Sequence, residues 1–559
     1  MLLRRDAVAG ESFAMMTAMS MAAEQGEERF AKRSARRGAY AALFAAIAAV
    51  VLLLAYIPIV RVHQGWEDEV YWVSTCLSLL RHNGPVPSIL ADYPSPQSPL
   101  YFYGPTLFWL GTLVLKVFGF SMRTWRSFTF AGNVAFLAAV SVLFYRLRRS
   151  WTLAMGTALV FSLAIGGSFG FSLPGRPDGW TLALITLAIA VVASAGEEPS
   201  RRHAGRWIAF GMLLGIAATT TPRSWPLLFL MVVLLPLLIP GSRMRTVALV
   251  VVSAACVASL ILLPLRTTLW GLVAFVRHAS RGDAVDVSPL MGGNWGFGHA
   301  TTQAVYYGAL LVIVGLVYLP RWRKLERFPR WLLAVALLNF AANMLLTARA
   351  LNMAIYWSFL LEIAAWCAIT ESAPGRRIQI ARGIGVALLV LMVTLRVARE
   401  TPVLAHWAER DPVSMERAMR AVIPPGSIVY GPRAQYFYPS FAIGADYRHP
   451  VDWSSPGRAS TPGRPGLPTP MTEACRVPAY LVWPLTEDAG PLPPLPHATL
   501  QRVSEYTEQP EPAGAFERAV EKIPGGSSVL DAEGLTVYRL RLDPQYCADV
   551  QAHARVDAH

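Results

Sequence analysis

Three adjacent carboxylates, Glu67, Asp68 and Glu69, follow directly on the first long apolar run of the chain, residues 39–60. Carboxylates beside a bilayer are costly, and those that persist there mark function. The chemistry open to them is general-base catalysis, in which a carboxylate takes the proton of an acceptor hydroxyl or amine as that group attacks. Neighbours on a helix point about 100° apart. Asp68 and Glu69 therefore serve different faces, one aimed at a site while the other caps or assists. The ordinary reading of acids in a first helical turn is that they complement the macrodipole. A second acidic motif, Gly175-Arg176-Pro177-Asp178-Gly179, stands where one apolar run ends and the next begins. Arg176 has the fork geometry that grips a phosphate. Asp178 either supports Asp68 from a second loop or caps its own helix.

Other residues extend this set. Arg223, Arg266, Arg277, Arg281 and Arg349 fall in segments expected on the same side as Asp68. They are candidates to hold a leaving phosphate, and each is equally suited to snorkelling at the interface. Tyr101 and Tyr103, with Trp66, Tyr71 and Trp295, offer faces for a sugar ring, and an interfacial aromatic belt uses the same residues. His299 with Glu67 or Glu69 is the one pairing that suggests a divalent metal, and a lone histidine is a slender basis for it. No cofactor is otherwise implied. The chain has no phosphate-binding GxxxxGK[ST] loop, no HExxH and no GxSxG, which removes ATP-driven transport and several hydrolase classes.

The elements that position these residues are set by composition. Of 559 residues, 54% are hydrophobic and 15% are charged, against about 25% charged in soluble proteins. Many runs approach the ~20 apolar residues that cross a bilayer. The net charge of +14 sits in short clusters between those runs, at 32–37, 146–149, 201–206, 243–245, 321–327 and 376–382. That is a positive-inside pattern rather than a nucleic-acid surface. The expected architecture is an α-helical multi-pass membrane protein of about eleven spans with a small C-terminal extracytoplasmic α/β domain. Residues 1–38 form a cytoplasmic tail and 39–398 the transmembrane domain. The first external loop is 61–99, and 399–559 is the outer domain. The spans are expected near 39–60 (an uncleaved signal anchor), 127–145, 151–172, 179–195, 207–221, 226–240, 246–265, 301–320, 331–347, 354–370 and 382–397. Residues 100–120 are interfacial or re-entrant, because a crossing there would put every later basic cluster outside. In the loop, 68–82 reads as a helix. In the tail, 414–422 reads as a helix, 427–430, 479–482 and 536–542 as strands, and 455–470 as a mobile loop. Cys475 and Cys547 can pair in an oxidising compartment.

The acidic pair after the first span comes with Tyr71, the Gly84-Pro85-Val86-Pro87 bend and the stretch Pro99-Leu100-Tyr101-Phe102-Tyr103-Gly104-Pro105. Together these resemble the GT-C glycosyltransferases, most of all the protein O-mannosyltransferase and aminoarabinose transferase branch. The resemblance covers about residues 40–200 and is one of topology alone from 200 to 400. It implies an integral membrane enzyme that moves a sugar from a polyprenyl-phosphate carrier to an extracytoplasmic glycan, lipid or protein; the short loops and composition suggest a bacterial inner membrane. Asp68 would be the base of an inverting displacement at the anomeric carbon, with Glu69 its neighbour. Gln97 and Ser98 stand where the aminoarabinose branch places an acidic and a basic residue for metal and lipid phosphate. Phosphate contacts are then expected from Arg176, Arg223 or the 266–300 loop. Two other readings remain: a transporter of lipid-linked glycans or a non-catalytic scaffold, for which Glu362 is an intramembrane charge, and a ligase using a polyprenyl diphosphate donor.

Overall fold

The structure is a computed structural model. It describes residues 38–54, 56, 67–81, 104–165, 177–193, 203–221, 224–239, 243–263, 297–346, 354–371, 375–405, 413–431, 436–448, 474–485, 492, 497–506 and 534–556. The helices in chain order are α1 (Gly38–Leu54), α2 (Glu67–Leu80), α3 (Pro105–Phe118), α4 (Met122–Arg148), α5 (Trp151–Ile165), α6 (Asp178–Val192), α7 (His203–Thr220), α8 (Trp225–Val233), α9 (Arg243–Leu262), α10 (Phe297–Tyr318), α11 (Arg327–Leu346), α12 (Ala354–Ile369) and α13 (Arg376–Ala405). Each run expected to span is helical over most of its described residues. Among the described residues, four helices are long and apolar enough to cross a membrane, and seven shorter apolar ones accompany them. The apolar helical bundle is thus borne out, while a count of about eleven crossings goes beyond those four. Over its candidate span α9 is only 6% buried, with Val251, Val252 and Leu260 exposed. A helix apolar on its outward faces suits a lipid surround.

Three local departures have clear causes. The 226–240 run is not one helix: α8 stops at Val233 and a 3₁₀ turn covers Leu235–Leu237. Pro236 lacks an N–H and its ring crowds the carbonyl four residues back, which breaks the ladder. α4 starts at Met122 rather than 127, because the Ser121 hydroxyl accepts from the Thr124 N–H at 3.1 Å and caps the helix. α13 runs on to Ala405, past the expected boundary at 398.

The tail holds α14 (Val413–Arg420), β1 (Ile428–Tyr430), α15 (Phe437–Ala442), β2 (Asp446–Arg448), β3 (Ala479–Pro484), β4 (Ala498–Tyr506), β5 (Leu535–Leu542) and α16 (Pro544–Val556). The strands form one sheet in the order β2-β1-β3-β5-β4. β2, β1 and β3 run parallel, and β5 is antiparallel to both β3 and β4. Every residue of the central strand β3 is buried, as a strand covered on both faces requires. Cys475 and Cys547 form a disulfide that ties the start of β3 to α16. The expected loop at 455–470 lies outside the described residues.

Two apolar cores organise the chain. One lies within the bundle and gathers α4 to α13, with Phe136, Phe144, Trp331 and Leu360 among its members. The other is shared: Val70, Trp72 and Val73 of α2, Leu107 and Phe108 of α3, and Trp125 and Phe128 of α4 pack with Tyr436, Phe437, Tyr447, Val482 and Val537 of the tail. The tail sheet therefore does not hang from a tether. It closes over the α2–α3 layer, and α4 runs from that layer into the bundle core.

Candidate active site

Glu69 is fully buried in the shared core. Both of its oxygens are held by one arginine: Arg126 Nε donates to Oε1 and Arg126 Nη2 donates to Oε2, each at 2.9 Å. Arg126 is itself fully buried, at the start of α4. A planar fork against a carboxylate fixes orientation as well as distance. The Tyr438 hydroxyl of α15 donates to Glu69 Oε1 at 3.0 Å. Burial, followed by the Glu69 charge, pushes the Tyr438 phenol well above its ordinary range, so it stays a protonated donor. Elsewhere on α2, burial pushes the Cys76 thiol up to about 12, which makes it a packing group rather than a nucleophile.

Asp68 lies in the first turn of α2 beside Glu69, and its side chain lies outside the described set. The same holds for Glu67 and Tyr71. Residues Trp66, Tyr101, Tyr103, Arg176, Arg223, Arg266, Arg277, Arg281, Trp295 and Arg349 lie outside the described residues altogether, and for His299 only the backbone of α10 is described. Among the described residues there is no group of three or more side chains suited to a metal ion.

Asp178 opens α6 and is buried. Its Oδ1 accepts from the Tyr356 hydroxyl of α12 at 2.6 Å, and the backbone oxygen of Tyr356 accepts from Asn339 Nδ2 of α11 at 2.8 Å. That contact ties Asp178 to a neighbouring helix. The first turn of α6 lies against Gly132 and Asn133 of α4, so closely that a Cβ on Gly179 would fall 2.3 Å from Asn133 Oδ1. The Trp180 indole N–H donates to the Phe128 carbonyl at 3.1 Å. α4 thus carries both acidic motifs: Arg126 holds the Glu69 turn, and positions 132–133 seat the Asp178 turn. Those positions are six or seven residues apart, about 10 Å along a helix.

The stretch that precedes α3 is anchored too. The Gly104 N–H donates to the Thr220 carbonyl at 2.8 Å, and the Thr106 and Thr219 hydroxyls meet at 2.8 Å. A Cβ on Gly104 would lie 1.9 Å from the Thr219 carbonyl oxygen, a backbone atom that cannot swing aside. Gly104→Ala is expected to cost about 1–3 kcal/mol through overpacking and to lower the melting temperature in detergent. Gly308→Ala, in a helix with open space around that position, serves as the comparison and should hold or raise it.

The other end of the bundle is basic. Arg146 Nη1 donates to the Ala190 carbonyl at the end of α6, and Arg148 Nη2 to the Cys367 carbonyl at the end of α12. Arg321 pairs with Glu371, and Arg382 donates to the Ile369 and Glu371 carbonyls. Cations at helix C-termini satisfy the last carbonyls and the dipole. Since Asp178 opens α6 and Tyr356 lies in the first turn of α12, the acidic motifs and these basic clusters occupy opposite ends of the bundle.

Sequence reasoning missed two partners. Arg126 had a signal: an arginine at the mouth of a long apolar helix needs a buried partner. Tyr438 had a weaker one, a run of three aromatics, Tyr436-Phe437-Tyr438, inside an otherwise polar tail.

Comparisons with known proteins place this geometry among solved structures. AglB from Archaeoglobus fulgidus, an oligosaccharyltransferase solved with an inhibitory peptide and a dolichol-phosphate, is similar over 71% of this chain at 14% identity and a TM-score of 0.47. This chain spans 63% of that protein's length. ArnT from Cupriavidus metallidurans is similar both bound to undecaprenyl phosphate (79% of this chain, 92% of that one, 14% identity, TM-score 0.46) and in the apo state (80%, 93%, 14%, 0.48). No protein-family profile matches the chain, and no curated protein does.

Proposed function

We propose that this protein is an inverting membrane glycosyltransferase that moves a sugar from a polyprenyl-phosphate carrier to an extracytoplasmic glycan, lipid or protein. Asp68 is the general base. It takes the proton of the acceptor hydroxyl or amine, the freed acceptor attacks the anomeric carbon, and the carbon–oxygen bond to the carrier breaks, releasing polyprenyl phosphate. The observation that carries this reading is the clamp on Glu69. Both Glu69 oxygens are turned into the protein toward Arg126, which commits Glu69 to the fold. Asp68, its neighbour in the same turn, is the carboxylate proposed to meet the substrate. Asp178, seated on the same helix α4, supports the acceptor side. Arg176, Arg223, Arg266 and Arg349 are proposed for the lipid phosphate, and Tyr101 and Tyr103 for the sugar.

The opposite placement of acidic motifs and basic clusters supports an outward-facing site, since cytoplasmic ends carry the excess of arginine and lysine. The disulfide between Cys475 and Cys547 fits a tail in an oxidising, extracytoplasmic compartment. A bacterial inner membrane, a cytoplasmic N-terminus and the boundaries 39–398 and 399–559 belong to the same proposal.

The test is the lipid product. Purified protein in nanodiscs, given polyprenyl-phosphate sugars and extracted envelope acceptors, is expected to release polyprenyl phosphate in step with sugar transfer. Release of polyprenyl diphosphate would replace this reading with the ligase. Movement of intact lipid-linked glycan without cleavage would replace it with the transporter.

A further inference from the structure

We infer that the tail sheet is part of the catalytic apparatus: through Tyr438 it sets the position of the helix turn that carries Asp68. The inference rests on the proposed role of Asp68, but its structural half stands without it. Three contacts join the tail to the layer of α2, α3 and the start of α4. The Tyr438 hydroxyl reaches Glu69 Oε1, the same atom that accepts from Arg126 Nε. Arg81, just past the end of α2, pairs with Asp446 of β2 at 3.1 Å and lies 5.3 Å from the centre of the Phe441 ring. Phe120, between α3 and α4, packs among Phe437, Tyr438 and Phe441 with ring centres 4.8 to 6.3 Å apart.

These contacts differ in what they can do. The Arg81–Asp446 pair is more than a third exposed, and such pairs contribute little. The aromatic cluster stabilises without direction. The Tyr438 hydroxyl is buried and donates to a carboxylate oxygen that also accepts from Arg126, which makes it a directional bond of the stronger kind. It lies one residue from the proposed base. Arg126 holds Glu69 from the bundle side, and Tyr438 holds it from the tail side. The turn is therefore placed by two bodies at once, and a displacement of α15 is passed to Asp68 through a single carboxylate. Tyr438 is a positioning residue; it is not proposed to touch substrate.

Tyr438→Phe removes the hydroxyl and keeps the ring. Tyr447→Phe is the matched control: Tyr447 is buried in the same core, and its hydroxyl donates to the Gly431 carbonyl at 2.7 Å within the tail. Two readouts are taken on the full-length protein in nanodiscs. In hydrogen exchange, Tyr438→Phe is expected to speed exchange over residues 67–73 by about 5- to 10-fold, the scale of one lost hydrogen bond, and Tyr447→Phe to leave it unchanged. In transfer assays, Tyr438→Phe is expected to lower kcat by about tenfold, with KM for the lipid donor within twofold, while Tyr447→Phe retains wild-type turnover. Unchanged α2 exchange in Tyr438→Phe, or equal acceleration in both variants, overturns the positioning role. Faster α2 exchange with unchanged kcat overturns its catalytic consequence. A wild-type protein with no transfer activity defeats the function proposed above, and the exchange comparison still decides whether the tail positions α2.

Discussion

Asp68→Asn is expected to lower turnover by about 10²–10⁴-fold, the range a positioned general base contributes, with the lipid donor still bound. The substitution keeps the shape of the side chain and removes its basicity. The neighbouring carboxylate does not stand in. Glu69 is completely buried, with Arg126 on both oxygens and Tyr438 on one of them. For Glu69 to act as base, it would have to leave a bidentate pair and expose a buried guanidinium. Glu69 is thus committed to the fold, and that makes the experiment on Asp68 sharp. Turnover of the purified variant, beside its melting temperature and membrane insertion, is the measurement. Retention of more than about a third of wild-type turnover, far above the loss expected of a missing base, would remove Asp68 from the mechanism and with it the proposed displacement.

Much of the fold was legible in the sequence. Apolar runs bounded by basic clusters correspond to helices because length and hydropathy suffice where the surroundings are apolar. Strands β1, β3 and β5 were legible as short β-branched or aromatic runs bounded by turn residues. β2 escaped because Asp446-Tyr447-Arg448 has no periodicity to read. β4 escaped because Ala498–Tyr506 is largely solvent-facing and polar on its outer positions. The break in α8 was foreseeable from Pro236, since a proline inside a helical run removes a donor and adds a clash. In the site, the carboxylates were legible as residue types whose cost must be justified. Their partners were not. Arg126 is 57 residues from Glu69 and Tyr438 is 369 residues away. Contacts at such separations are created by packing, and no local pattern announces them. The sharing of one core between α2–α4 and the tail is legible only in three dimensions, because each side alone reads as an ordinary amphipathic surface.

Arg126→Leu carries the largest expected effect on stability, about 3–5 kcal/mol, because it strands the Glu69 carboxylate in the core without its partner. Tyr438 alone cannot compensate, since one neutral donor replaces two charged ones. Thermal or denaturant unfolding of Arg126→Leu measures the loss, with the wild type as reference. The double variant Glu69→Met/Arg126→Leu removes both charges and fills their volume. It should recover most of the stability lost by the single variant, as replaced buried ion pairs do. A single variant destabilised by less than about 1 kcal/mol, the range of an exposed pair, would show that water reaches Glu69 and that the clamp is not a buried one. Activity separates from stability at this point. The double variant is expected to fold and yet turn over poorly, because apolar contacts restore cohesion between α2 and α4 without restoring the direction in which the fork holds the Asp68 turn. Recovery of both together would mean that the turn needs only to be packed, and the orientation argument for Asp68 would fall.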